Sequence, residues 1–307
     1  MLRTPRPVDL ALFLLLSTIW SSSYLLTKLA VNTIPPFSLA ALRCLIGGLV
    51  LAAILPFAGQ AWPSGWSYWS RALGVTLFAN GLPMALMAYG MARIDSGLGA
   101  IIIASAPLLT LAIAHLAMRD EPATPAKLMG MLIGFLGVVV LIGWEALGGL
   151  GHSLIGQAAM VGVALCYALA STTARSLKAP ALANGAATLL LAAAQMLFVA
   201  ALIEAPWTLR PSANSLVAIA ILGMVNAAFA TVIYFRLVAA VGATFVTLNN
   251  YVNPPLAVMW GALVLGEAVS LRAIASLLLI FIGISVANPD ALRAIASRAF
   301  GGPRPAP

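Results

Sequence analysis

The segment 237-LVAAVGATFVTLNNYVNPPLAVMWGALVLG-266 decides the fold, because thirty consecutive positions hold no Asp, Glu, Lys or Arg. So long an apolar run belongs in the hydrocarbon of a bilayer, which about 20 helical residues suffice to cross. Outward from it, the charged residues leave nine more charge-free runs of 17 or more positions: 10–27, 44–70, 72–92, 96–118, 128–144, 146–174, 179–203, 211–235 and 273–289. Ten spans would occupy most of the 307 residues and leave no room for a soluble domain. The composition agrees, with 62% hydrophobic and 8% charged residues and a mean hydropathy of +1.04, where soluble domains are roughly a quarter charged. A cytoplasmic enzyme is thereby excluded. The runs lack the period-two alternation of barrel strands, and a backbone in lipid must satisfy its own hydrogen bonds. The expected fold class is therefore an all-α membrane protein of ten transmembrane helices.

Net charge +8 and a pI near 10.1 would suggest nucleic acid in a soluble chain. Here the charge sorts by side. With ten spans both termini share one side, and eleven of the sixteen Lys and Arg fall there, among them Arg71, Arg119, Lys127, Arg175 and Arg236. Lys28, Arg43, Arg93, Arg210 and Arg272 fall on the other. The positive-inside rule then places both ends in the cytoplasm, and no basic patch interleaved with aromatics remains for a nucleic acid. Cys44 and Cys166 lie inside apolar runs and read as small hydrophobes, without disulfide or metal spacing. The first run has no small-residue cleavage site after it, and Lys28 leads into another span, so it reads as a span and not as a cleaved signal.

Adding 147 to positions of the first half lands on matching chemistry in the second: Trp20 on Tyr167, Lys28 on Arg175, Pro107 on Pro254 and Asp120 on Glu267. The chain therefore divides into repeats at 1–150 and 151–307, the second ending in a short basic tail. Five spans per copy is an odd number, so the second copy enters the membrane from the opposite side, an arrangement typical of transporters.

Several motifs resemble those of the drug/metabolite transporters of the EamA type. The first span, 19-IWSSSYLLTK-28, is similar to that family's opening helix, and Arg43 follows in the second. Ala106-Pro107 and Asn253-Pro254 resemble its paired Pro-bearing helices, the second ending in Leu265-Gly266-Glu267. The first copy departs from this pattern with Arg119-Asp120-Glu121. Within the group the chain looks most like the bacterial amino-acid exporters of the YddG type. The resemblance implies a bacterial inner-membrane exporter, or facilitator, of aromatic and other uncharged amino acids.

A carrier built this way binds cargo near the bilayer midplane where the repeats meet, so polar residues far from span ends are the candidates. Asn80 and Asn226 lie mid-span at nearly equivalent positions, and an uncompensated amide in hydrocarbon is costly. Asn249, Asn250, Tyr251 and Asn253 cluster before Pro254 and Pro255. A proline there removes a backbone donor and frees a carbonyl one turn earlier. Pro107 marks the matching kink in the first copy, but Ile102 and Ile103 stand where the second has Asn249 and Asn250, so the cavity is expected to be chemically lopsided. Trp20, Tyr24 and Lys28 recur every four residues on one helical face, and Tyr167, Ser171 and Arg175 repeat the spacing. Tyr89 and Tyr234 complete a candidate aromatic ring, while Lys28, Arg43 and Arg175 are candidates for attracting a carboxylate. Interhelical stapling, kinked packing and snorkelling to head groups are the structural alternatives for these residues.

Chemistry for an enzyme is missing from the sequence. It has two His and no HExxH, CxxC, GxSxG or P-loop, so no cofactor, no metal and no nucleotide-driven pump is expected. All eight acids lie at or near span boundaries, which favours facilitated diffusion or exchange over a buried proton relay. The expected partners are a small-molecule cargo and the lipid bilayer. No feature sets an oligomeric state. Export of other metabolites or amphipathic drugs, and a passive channel, stand as alternatives.

Overall fold

The computed structural model describes residues 5–91, 93–94, 96–118, 121–265 and 271–287. Among them every regular element is helical. The first half holds α1 (Pro7–Ala30), α2 (Pro36–Phe57), α3 (Trp66–Thr76), α4 (Leu82–Met91), α5 (Ser96–Ile103), α6 (Ala106–Ala117) and α7 (Pro125–Ile142). The second holds α8 (Leu154–Ala174), α9 (Ala181–Ile203), α10 (Ala213–Ile221), α11 (Ala230–Val241), α12 (Ala243–Thr247), α13 (Asn249–Leu265) and α14 (Leu271–Ala287). Seven stretches are long and apolar enough to cross a membrane, and Leu271–Ala287 is a shorter apolar helix. The 30-residue run of the opening segment is divided instead. Gly242, at φ +96, stops α11 in a conformation that only glycine adopts without strain, and a single turn at Leu248 separates α12 from α13.

Irregularity recurs at matching places in the two halves. A π-helical segment, Leu77–Gly81, joins α3 to α4, and another, Leu222–Phe229, joins α10 to α11. Each contains the mid-span asparagine, Asn80 or Asn226. A π turn shifts the backbone ladder by one residue and marks functional positions in many helices. The fourth span of the first copy is likewise broken between α5 and α6, at Ala104-Ser105 before Pro107.

Equivalent helices of the two halves pack side by side and run antiparallel. Leu51 of α2 meets Gly185 of α9, Gly48 meets Leu190, and the start of α2 meets Glu204 at the end of α9. The Glu204 carboxylate accepts from the Phe37 and Ser38 N–H groups at 2.9 and 2.7 Å and from Ser38 Oγ at 2.7 Å. It thus satisfies donors that a helix start leaves open, at the positive end of its dipole. Helices α7 and α14 pair in the same sense, Gly130 lying against Gly283 and Ala287, and Gly137 against Ser276 and Ile280. A side chain at Gly130 would collide with the backbone of α14, so the two axes approach through small residues, as membrane helices do. The other neighbours are reciprocal too: α1 lies against α13 as α8 lies against α6, and α1 against α10 and α11 as α8 lies against α3 and α4. Large apolar side chains face outward in rows, such as Leu128, Leu132 and Leu136 on α7. Acyl chains solvate such a face, whereas water would not.

Candidate functional site

Helix α1 is unusually polar at its centre, and its own backbone absorbs most of that polarity. Ser17, Thr18, Ser21, Ser22 and Ser23 each donate to a carbonyl three or four residues earlier, at 2.5 to 2.9 Å, as hydroxyls in apolar surroundings do. Their oxygens remain free to accept. Two groups of second-half side chains use them, one on either flank of α1.

The first group is centred on Asn226, 1% exposed within the π segment. Its Nδ2 donates to the Ile19 carbonyl and, at 3.2 Å, to Ser22 Oγ. Its main-chain carbonyl accepts from Trp20 Nε1 at 3.2 Å. The Trp20 ring lies 5.8 Å from that of Tyr234, which meets Phe235 edge-on at 5.2 Å. The second group comes from α13. Asn249, 2% exposed, donates from Nδ2 to Ser17 Oγ at 2.8 Å. Trp260 Nε1 is shared between the Thr18 carbonyl at 3.2 Å and Ser21 Oγ at 3.1 Å. Asn253, 9% exposed, lies one turn after Asn249 on the same side of α13. Tyr251 points elsewhere, its ring covering Gly134 of α7.

These amides are under-satisfied. The Oδ1 atoms of Asn226, Asn249 and Asn253 and the Tyr251 hydroxyl are buried without a hydrogen-bond partner. Asn184, on α9, shows what a purely structural amide looks like here. Its Oδ1 accepts from the Tyr68 hydroxyl at 2.7 Å, and its Nδ2 donates to the Leu177 and Ala179 carbonyls at 3.0 and 2.8 Å. A buried carbonyl oxygen left bare costs about 1–3 kcal/mol, and such groups in a native fold call for a ligand, water or ion.

The remaining candidates scatter. Asn80 is half-buried in its own π segment, and Asn250 half-buried at the start of α13. Tyr89 is exposed, with the Arg93 guanidinium 3.6 Å above its ring, away from the Trp20–Tyr234 pair. Tyr167 is half-buried on α8, its carbonyl accepting from Ser171 Oγ at 2.9 Å. Arg43 is half-buried on α2 and pairs with no carboxylate among the described residues. Pro107 lies buried in the first turn of α6, and Pro254 lies inside α13. The side chains of Tyr24 and Lys28, together with Arg119, Asp120 and Glu267, lie outside the described residues.

Arg175 has a partner of its own. Its Nη1 lies 3.0 Å from Oε1 of Glu121 and 2.9 Å from the Met118 sulfur. Glu121, 2% exposed, also accepts from the Ala243 and Thr244 N–H groups, both at 3.0 Å. One carboxylate therefore joins the segment after α6, the end of α8 and the start of α12. The sequence reading placed Glu121 only as a departure from a motif, and it passed over Trp260, Ser17 and Asn184. Trp260 was legible in principle, since positions 249, 253 and 260 share one helical face. The pairing of Glu121 with positions 243 and 244 is a contact across more than a hundred residues and leaves no local trace.

The EamA-like transporter family model matches the chain twice, over residues 9–143 and 154–288. Among curated relatives, the uncharacterized inner membrane transporter YedA of Escherichia coli is 29% identical over 254 residues, 82% of this chain and 81% of that one. The uncharacterized transporter YoaV of Bacillus subtilis is 25% identical, covering 87% and 91% of the two chains. Protein PagO of Salmonella typhimurium is 26% identical, covering 89% and 90%. One crystal structure of a protein shares the fold with a TM-score of 0.79 at 24% identity, over 94% of this chain and 99% of that chain.

Proposed function

Since the chain belongs to the EamA-like transporter family, we propose that it moves small uncharged amino acids, aromatic ones included, out of the cell by alternating access. In this reading it crosses a bacterial inner membrane ten times, with both termini in the cytoplasm. Its halves, 1–150 and 151–307, are inverted five-helix repeats. The antiparallel course of α2 and α9, and of α7 and α14, supports the inversion. The name of the Escherichia coli relative supports the compartment.

The observation that most favours a carrier is the set of three buried amides, Asn226, Asn249 and Asn253, whose oxygens stay bare where α1 meets the second half. Packing alone is served by amides like Asn184, with every bond made. Cargo would bind between α1, the second π segment and α13. The Trp20–Tyr234 pair would offer an aromatic wall, and Asn250 further polar contact, while Tyr251, expected at the site from the sequence, faces α7. Arg43, half-buried and paired with no carboxylate among the described residues, suits attraction of the cargo's own carboxylate.

The test is flux into liposomes. Purified protein is expected to speed equilibration of a radiolabelled amino acid, saturably and with countertransport, and Asn250→Ala to slow it while the protein stays folded. Flux equal to that of empty vesicles ends the amino-acid reading. Flux without saturation or countertransport indicates a channel, because a channel has no need to alternate.

A further inference from the structure

Four of the eight buried side-chain oxygens without a partner among the described residues lie within ten positions: Thr244 Oγ1, Asn249 Oδ1, Tyr251 Oη and Asn253 Oδ1. Two of them share a side of α13. Asn249 and Asn253 are one helical turn apart, so their side chains are neighbours, and the Asn249 amide nitrogen gives one of its two N–H groups to Ser17 of α1. Its Oδ1 is buried with no partner. The backbone adds to the same polarity. Pro254 brings no N–H to the carbonyl of Asn250, four residues earlier, and Pro255 none to that of Tyr251. The amide oxygens of Asn249 and Asn253 and these two carbonyls therefore lie close along one stretch as acceptors, and both amides are buried.

A species rich in N–H donors, or a bare cation, suits the amide oxygens and the freed carbonyls best. A carboxylate or a neutral acceptor would be repelled. The charge wanted is small, since the described residues hold no group of three or more His, Cys, Asp or Glu fit for a metal ion. Neutral carbonyl and amide oxygens replace the hydration shell of a monovalent cation, and broken membrane helices hold such ions on unwound carbonyls. We propose that the α1-facing side of α13, at Asn249 and Asn253, binds a compact monovalent cation, either the ammonium of an amine-bearing cargo or an alkali ion. The inference deepens the carrier reading and rests on it for the site's role, while the binding itself is measured without transport.

Detergent-purified full-length protein is melted in sodium chloride, methylammonium chloride or tetramethylammonium chloride at one ionic strength. The last has the same charge but no N–H and a larger radius. Sodium or methylammonium is expected to raise Tm by about 3 °C over tetramethylammonium, the size of shift that ligand linkage gives a chain of this length. Sodium acting alone assigns the site to an alkali ion, and methylammonium acting alone to the cargo's amine. Asn249→Leu and the milder Asn253→Ser are expected to abolish the difference. Gln195→Leu, which removes a bare buried oxygen on α9, is expected to keep it. Equal Tm values in the three salts, or a difference that survives both α13 variants, overturns the proposal. A salt response that persists while amino-acid flux fails removes only the cargo reading.

Discussion

The fourth span of the first half and its counterpart in the second are both broken ahead of a proline, at Ala104-Ser105 and at Leu248, some three residues out of register, and are finished differently. Between α5 and α6 the break closes on itself. Ser105 Oγ donates to the Ile102 carbonyl at 2.7 Å and Thr110 Oγ1 to the Ala106 carbonyl at 2.8 Å, and no side-chain atom there is left buried and bare among the described residues. Between α12 and α13 the break leaves four oxygens bare and takes an outside carboxylate, Glu121, to hold its first turn. Both copies are thus irregular before their proline, and only the second leaves buried side-chain oxygens bare there. The position of the break and the polarity in it are both set residue by residue.

The contrast can be tested by removing what distinguishes the second break. Glu121→Ala removes one contact of Arg175 and leaves two N–H groups of α12 without that acceptor, and is expected to cost about 3 kcal/mol. Thermal or denaturant unfolding in detergent measures this, and a loss below about 1 kcal/mol would show that the junction is not a support of α12. Asn249→Leu makes the second break apolar like the first. Amino-acid flux is expected to fall about tenfold, equivalent to about 1.4 kcal/mol, with Tm nearly unchanged because the lost bond to Ser17 is offset by the bare oxygen removed.

The reverse exchange sharpens the comparison from the other side. Ile102→Asn gives the first break the amide its partner has, and with no prepared acceptor it is expected to lower stability by about 1 kcal/mol. An unchanged melting curve would mean that the first break is as well furnished for polar groups as the second. Trp20→Phe keeps the ring beside Tyr234 but deletes the donor to the Asn226 carbonyl, at an expected cost of about 1 kcal/mol. The smallest effect belongs to Arg272→Gln, on the exposed pair with Glu145 at 3.0 Å. Glu145's carboxyl is held below its ordinary range by its own backbone N–H first and by Arg272 second. Its stabilisation is therefore present above the ordinary carboxylate range and lost as pH falls through the lowered value. The pair is solvated, so wild type and variant should melt within about 1 °C of each other at neutral pH.

Much of the plan was legible from one chain. Charge-free runs located most helices, the 147-residue offset paired Trp20 with Tyr167 and Pro107 with Pro254, and Asn80 and Asn226 stood out as mid-span amides, though the π segments that hold them did not. Less legible was the difference between one asparagine and another. Asn184 and Asn249 both sit in apolar company, yet one has every bond made and the other keeps a bare oxygen. The 30-residue run 237–266 looked like a single span because charge counting is blind to a φ of +96 at Gly242.

The sequence by itself determined which segments avoid water, because transfer of apolar side chains and the need for internal backbone bonding depend on local composition alone. Only the tertiary structure decided that Glu121 closes α12, that Trp20 reaches the Asn226 carbonyl and that α2 runs antiparallel to α9. Hydrogen bonds and close helix contacts are set by distances between residues remote in the chain, and those distances exist only once the two halves have packed.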